Sequence, residues 1–250
     1  MKRMFDLFVS FFGLIFLSPI LLPVIFLIWK YDFHSPFYIA PRVGKNGKTF
    51  AMVKLRSMVV NADKSGVDST SADDNRITPV GHFVRRYKLD EFAQLWNVLV
   101  GDMSLVGPRP NVEREVNSYT SEEKRLLSVK PGITDFSSIV FSDEGEILRG
   151  QFDPDLAYEE LIRPWKSRLG LVYIDKQSFL LDIQLIMITI IAIISRRLAL
   201  QQLNHILVRL NVESRLCEIA KRRTPLYPFP LPGDLEKSVP FLPPILSDIP

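Results

Sequence analysis

Residues Leu7–Trp29 read LFVSFFGLIFLSPILLPVIFLIW, 23 consecutive residues without a charge. At about 1.5 Å of rise per helical residue, this run is long enough to cross the hydrocarbon core of a bilayer. It exceeds the apolar region of a cleavable signal, and the WKYDFHSP context at its end offers no small-residue cleavage site, so the segment is expected to be retained. Pro19 and Pro23 fall inside the run. Each removes a backbone donor and crowds the preceding turn, while the Ser18 hydroxyl can bond back to a freed carbonyl. A bend is expected near Ser18-Pro19.

Basic residues flank the run on both sides, Lys2 and Arg3 before it and Lys30, Arg42, Lys45 and Lys48 after it. A spanning helix normally shows a one-sided excess. Symmetric flanks suit a helix–break–helix hairpin that enters and leaves on one face; a proline-kinked single span is the plain alternative, and composition leaves both open. Residues 1–60 hold eight Lys/Arg and two Asp, net +6, in a 250-residue chain of formal charge +3, so the remainder carries −3. A basic head beside an apolar run points to anionic membrane phospholipid and not to nucleic acid, and there is no Walker A loop, GxGxxG or DNA-binding motif. The 47% hydrophobic content excludes a disordered chain, and the single Cys217 excludes a disulfide scaffold.

Downstream, Gly44-Lys45-Asn46-Gly47 is a turn signal between β-prone runs in 35–60 and predicts a hairpin. Residues 61–78 read as a solvated loop; their four Asp lack calcium-loop spacing. Phe92, Leu95, Trp96 and Leu99 predict one helix starting around Asp90, followed by a loop, GDMSLVGPRP. A polar helix is expected over 111–128, mixed loop and strand over 133–154, and a helix over 154–165. In SFLLDIQLIMITIIAIISRR the uncharged core, residues 183–195, is about 20 Å long as helix, too short to span, and reads as a buried or interfacial helix. Leu203, Leu207 and Leu210 continue a stripe with Arg and Lys on other faces, either a membrane-surface helix or one packed on the domain. Residues 224–250 hold eight of the 18 prolines and predict an extended tail outside any core.

The candidate chemistry centres on Asp90-Glu91. Asp caps helices and acids suit their N-termini, so an adjacent pair at a helix start is by itself most often a cap. Arg85, Arg86 and Lys88 immediately before it change the balance, because one terminus then gathers carboxylates with phosphate-binding cations. A carboxylate near cations stays ionised and can attack phosphorus, and a second can hold Mg²⁺ against substrate phosphates. Pro108-Arg109-Pro110 fixes the backbone on both sides of one guanidinium, suited to a bidentate phosphate contact, although alone it would read as a turn with a surface Arg. Lys54 and Arg56, at alternate positions of a strand, would project from one face. His34, His82 and His205 are scattered without metal-ligand spacing.

The stretch KLDEFAQLWNVLVGDMSLVGPRP, with VKLRSM before it and KPGIT and SFLLDI after it, closely resembles the bacterial sugar transferase family from Lys2 to about Ile194. These are monotopic polyprenyl-phosphate sugar-1-phosphate transferases, which initiate capsule, exopolysaccharide, O-antigen or glycoprotein glycan synthesis. The resemblance implies that a UDP-sugar gives its sugar-1-phosphate to undecaprenyl phosphate with release of UMP. It assigns Asp90 as the nucleophile forming a covalent phosphosugar intermediate, and Glu91 as the Mg²⁺ ligand. Lys54, Arg56, Arg85, Pro108, Arg109, Pro110 and Asp182 then match substrate-binding positions, and Ser18-Pro19 the break of a re-entrant membrane helix, which favours the hairpin.

The implied fold is α+β and mostly helical. A re-entrant helix–break–helix occupies residues 1–30, and a compact cytoplasmic catalytic domain with a small β-hairpin and interfacial amphipathic helices occupies 31–199. An amphipathic helix and proline-rich tail fill 200–250. The expected site is the cytoplasmic face of the bacterial inner membrane. Three departures stand out from the family pattern: Ala93 where Pro is common, Asp135 where many members have Gly, and Gly170 where many have an acid. A catalytically inactive scaffold recruiting glycan-assembly enzymes is the competing class, and intact Asp90, Glu91 and Arg109 argue against it. A CDP-alcohol type phosphotransferase lacks support, since several spanning helices and its spaced Asp motif are missing. Neither the sugar nor homodimer formation is encoded in these motifs.

Overall fold

The apolar run forms the middle of α1 (Lys2–Asp32), which stays helical through Ser18, Pro19 and Pro23. Pro19 has no N–H for the carbonyl of Ile15, and the Ser18 hydroxyl donates to that carbonyl instead, at 2.7 Å. With the freed acceptor satisfied, helical structure continues through Ser18-Pro19 without dividing into two separate helices, a continuity that is compatible with a bend at the prolines. The computed structural model describes residues 1–66 and 69–234.

One face of α1 lies on the rest of the chain along its length. Lys2 pairs with Asp182 at 2.6 Å, Arg3 donates to the Val98 and Leu99 carbonyls, and Asp6 accepts from the Ser104 hydroxyl at 2.8 Å. Farther along, Leu21, Val24 and Ile28 pack with Leu55, Val84, Leu89 and Ala93. At the last turn, both oxygens of Asp32 accept from the Arg56 guanidinium at 2.6 Å. The other face, including Phe8, Phe16, Leu22 and Phe26, is exposed.

The predicted hairpin is present as antiparallel β1 (Phe37–Val43) and β2 (Thr49–Leu55), with Tyr38 opposite Lys54. Asn46 and Gly47 take positive φ in the turn. After α2 (Pro79–Arg86), the helix expected from about Asp90 is divided into α3 (Leu89–Phe92) and α4 (Leu95–Val100). Asn97 ties α4 to the hairpin. It is buried in α4 and uses its amide to pair β2, accepting from the Val53 N–H at 2.9 Å and donating to the Ala51 carbonyl at 2.7 Å, which turns Trp96 out to the surface.

The loop expected after α4 contains β3 (Ser104–Val106), which runs parallel to β4 (Gly132–Thr134). The polar helix expected over 111–128 is split into α5 (Glu113–Asn117) and a 3₁₀ segment, Glu123–Ser128. The mixed region after β4 is mostly helical, with α6 (Phe136–Val140) and α7 (Glu144–Ile147). Asp135 caps α6, accepting from the Ser138 N–H at 2.7 Å. Next come α8 (Pro154–Ala157), a π turn (Tyr158–Ile162), α9 (Arg163–Lys176), α10 (Phe179–Ile194), α11 (Arg196–Arg209) and α12 (Ser214–Lys221).

These later helices enclose the main core around Phe136, Trp165, Leu169, Tyr173, Leu185, Leu203 and Leu207. Thus α11, which begins before residue 200, packs on the domain through its Leu stripe. α10 buries Leu181, Leu185 and Ile188 and exposes Leu180, Met187, Ile190 and Ile193, as an interfacial helix would. The tail departs from expectation in 224–234, where Leu226, Tyr227 and Phe229 pack against the core and Phe229 stacks on Trp165 with centroids 4.4 Å apart. The rest of the proline-rich tail lies outside the described residues.

The β3–β4 crossing requires glycine for close approach. A Cβ on Gly132 would sit 2.1 Å from the Gly107 nitrogen, with only backbone to move aside. Gly132→Ala is expected to destabilise the protein by about 3 kcal/mol, seen as a lower thermal midpoint in detergent. An unchanged midpoint would contradict this packing.

Candidate active site

Lys88 adopts a left-handed conformation (φ 55°) between α2 and α3, turning the chain so that Asp90 and Glu91 occupy the single turn of α3. Leu89 and Ala93 anchor that turn beneath α1. The two carboxylates open onto a cavity of about 1560 Å³, also lined by Lys54 of β2, Arg85 of α2, Lys88 and Arg109. Arg109 arrives on the loop after β3 and donates to Glu91 Oε1 at 2.8 Å.

The adjacent carboxylates are electrostatically unequal. Burial would raise Glu91, but Arg109, Lys88 and Lys54 outweigh it and hold the carboxyl at about 2. Burial raises Asp90 above the usual carboxylate range although Lys54, Arg85 and Lys88 pull it down, and the charge of Glu91 adds to the rise. Neighbouring cations alone therefore do not set Asp90; its desolvation dominates. Asp90 Oδ1 is buried without a hydrogen-bond partner. Lys54 is lowered to about 8, first by burial and then by the Arg109 charge, with Asp90 and Glu91 opposing. Arg109 is raised, chiefly by Glu91.

Among the described residues no group of three or more His, Cys, Asp or Glu could hold a metal ion alone. Mg²⁺, however, is commonly bound by one or two carboxylates together with substrate phosphates. An orphaned Asp90 oxygen beside the Glu91 carboxylate fits that donor set.

Asp90, Glu91, Lys54, Arg85, Arg109 and Pro110 are thus brought together, while other predicted positions are not. Asp182 does not line the cavity; it is buried against α1, bound by Lys2 and by the Tyr173 hydroxyl at 2.7 Å. Arg56 borders the cavity, but its guanidinium is committed to Asp32 and to the Ser35 carbonyl, so it does not offer the free phosphate contact expected beside Lys54. Pro108 faces away, its carbonyl accepting from the Gly132 N–H. Ser18 and Pro19 lie within α1. The same cavity holds residues that sequence reasoning missed, Asn111, Glu115, Glu144, Tyr158 and Lys166. No local motif marks them, because they come from four separated segments.

Comparison with known proteins decides the family. The model for the bacterial sugar transferase family matches residues 1–196. The chain belongs to the bacterial sugar transferase family. It is similar to the uncharacterized sugar transferase EpsL of Bacillus subtilis, 33% identical over 207 residues, covering 82% of this chain and 93% of that protein. It is also similar to a putative undecaprenyl-phosphate N-acetylgalactosaminyl 1-phosphate transferase of the same organism, 43% identical over 136 residues, covering 50% of this chain and 76% of the relative. The UDP-galactose-lipid carrier transferase of Erwinia amylovora is 39% identical over 149 residues, 54% of this chain but only 31% of that longer protein.

Two family departures now have a physical setting. Asp135 is wholly buried as the cap of α6. Gly170 sits where a Cβ would come within 2.8 Å of the Leu126 side chain, so the acid common in the family would not fit without repacking.

The Glu91–Arg109 pair has an acid signature. Glu91 titrates at about 2 against an ordinary 4.5, so between those values the unfolded chain binds more protons than the folded one. Its contribution to stability is complete above about pH 4.5 and fades as the pH falls toward 2. Glu91→Gln is expected to flatten that part of a denaturation profile, and an identical slope in the variant would count against the pairing.

Proposed function

We propose that the protein is a phosphoglycosyl transferase that moves sugar-1-phosphate from a UDP-sugar to undecaprenyl phosphate in two steps. The observation that carries this reading is Asp90, buried with an unpartnered carboxylate oxygen in a cavity lined by Lys54, Arg85, Lys88 and Arg109. An Asp90 oxygen attacks the β-phosphorus of the donor, the bond to the bridging oxygen breaks, and UMP leaves with that electron pair. The phosphate of undecaprenyl phosphate then attacks the same phosphorus, giving undecaprenyl-diphosphate-sugar and restoring the Asp90 carboxylate. Two steps let one site take a soluble donor and a lipid acceptor in turn.

The cations bind and orient the diphosphate, and Arg109 also holds Glu91 ionised beside the nucleophile. Glu91, with Asp90 and substrate phosphates, would hold Mg²⁺, which when bound supplies charge neutralisation to the diphosphate. The names of relatives support the substrates: one is named a UDP-galactose-lipid carrier transferase, and others are undecaprenyl-phosphate galactose or glucose phosphotransferases. Exopolysaccharide production by a further relative supports a role in surface glycan synthesis.

The way α1 is held supports a reading of its membrane topology. Its first and last turns both bind the same domain, through Lys2–Asp182 and Asp32–Arg56. That arrangement supports a monotopic, re-entrant helix with both ends at the cytoplasmic face of the inner membrane, where an undecaprenyl phosphate head group would meet the cavity. The exposed apolar faces of α1 and α10 would meet lipid, and the basic head anionic phospholipid.

With detergent-solubilised protein, undecaprenyl phosphate and Mg²⁺, UMP release is expected from at least one UDP-sugar. Asp90→Asn should lower it by at least about 10³-fold while membrane association persists. Unchanged turnover in the variant would sink the assignment of Asp90, and no release from any donor would favour the scaffold. For topology, single cysteines placed near positions 2 and 32, leaving Lys2 and Asp32 themselves intact, are expected to be labelled from the same side of sealed vesicles; opposite-side labelling would restore the single span.

A further inference from the structure

The cavity has a second wall that the transfer steps do not use. Asn111 follows Arg109 by two residues, and its amide donates to Glu115 Oε1 at 2.6 Å and to the Tyr119 hydroxyl at 2.8 Å. The Tyr158 hydroxyl makes a longer contact to the same Glu115 oxygen, at 3.4 Å. Lys166 donates to Glu144 at 2.7 Å and lies over the Tyr158 ring, 5.1 Å from its centroid. Glu144 and Arg109 are close enough for each charge to act on the other. The wall therefore adjoins the phosphate-facing cations directly.

We propose that this wall receives the sugar ring of the donor, and that Glu115 accepts a hydrogen bond from a ring hydroxyl and so discriminates among neutral hexose donors. The inference rests on the transferase reading above. Three observations lead to it. Glu144 is paired with Lys166 and Glu159 with Arg163, whereas Glu115 has no ion-pair partner among the described residues. Its hydrogen bonds fall on Oε1, which leaves Oε2 to meet a ligand. Burial pushes its carboxyl up to about 7, so a ligand that donates a hydrogen bond would relieve the cost of its charge.

The other parts of a UDP-sugar fit this wall less well. A diphosphate would meet carboxylates of like sign. Uracil offers a single N–H donor between two carbonyl acceptors, fewer donors than a hexose brings to the acceptors already there, and a face of the Tyr158 ring, the aromatic surface a base would stack on, carries Lys166. A hexose offers several hydroxyl donors, and it is bonded to the very phosphate that Asp90 attacks. A site built to bond a hydroxyl can reject analogues that lack or misplace it, because its own polar groups are then left unpaired.

The test is UMP release by the full-length protein with undecaprenyl phosphate and Mg²⁺, using UDP-glucose, UDP-galactose and their 2-acetamido counterparts. Glu115→Gln is expected to lower kcat/KM for the preferred donor by about 10-fold or more and to compress its advantage over the poorest donor turned over. Inhibition by free UMP should not change, since UMP carries no sugar ring to reach the wall. An equal loss on every donor, or an unaltered preference, overturns the proposal while leaving the transferase reading intact. If the wild-type protein turns over no UDP-sugar, the transferase reading falls and the proposal with it. Should Glu115→Gln fail to fold, Tyr158→Phe is judged by the same ratio, because it removes the hydroxyl that helps orient Glu115.

Discussion

Helix α1 is tied to the domain at both ends, by Lys2 to Asp182 and by Asp32 to Arg56, and in between it packs on α2, α4 and β3. At about 1.5 Å per residue the 31 residues of α1 trace about 46 Å of helix, so these contacts fix a long apolar element against a small domain. Its N-terminal half meets α4 and β3, and β3 leads directly to Arg109. Its C-terminal half covers Leu89 and Ala93, the residues on either side of Asp90-Glu91. The carboxylates and the guanidinium that answers them are therefore positioned from the same helix that carries the exposed apolar surface. If that surface meets lipid as proposed, membrane depth and site geometry become one constraint.

Within that frame, two adjacent carboxylates take different roles because only one receives a guanidinium. Arg109 takes Glu91, which stays strongly ionised, and burial leaves Asp90 raised with an oxygen unsatisfied. Environments that push paired carboxyls apart commonly mark a division of labour. A diphosphate would bring further negative charge into this space. In the proposed reaction the surrounding Lys54, Arg85, Lys88 and Arg109 would offset that charge and let the donor approach Asp90.

What the sequence revealed follows the range of the interaction. The apolar run, the Gly44–Gly47 turn and the carboxylate pair beside Arg85 are local patterns, and each appears where expected. The resemblance also brought Arg109 and Lys54 to the pair. The misreadings arise from partners far along the chain. Periodicity made one helix of Phe92, Leu95, Trp96 and Leu99, but the pairing of Asn97 with the backbone of β2 decides which side of α4 is buried. Asp182 and Arg56 looked like substrate groups; each is neutralised by a charge at one end of α1, distant in sequence and impossible to read from spacing. The Glu115 wall was invisible for the same reason.

The chain beyond the family match gains a physical role from this wall. Lys166 lies in the first turns of α9, and Tyr158 in the π turn leading into it. Behind them Arg163 forms a buried ion pair with Glu123, at 2.9 Å, and Ser167 donates to the same carboxylate. Breaking such a pair strands a buried charge at a cost of about 3–5 kcal/mol. Residues 224–234 close over this layer. Phe229 stacks on Trp165, with Arg168 and Arg215 against its ring, and the Thr120 hydroxyl and Arg168 bond the carbonyls of Pro232 and Pro230. Helix α9 is thus held from one side by the family core and from the other by the segment that follows it. The proline-rich stretch, extended as its composition demands, acts as a strap: it needs no helix or sheet of its own, because its aromatic side chains and free carbonyls do the binding.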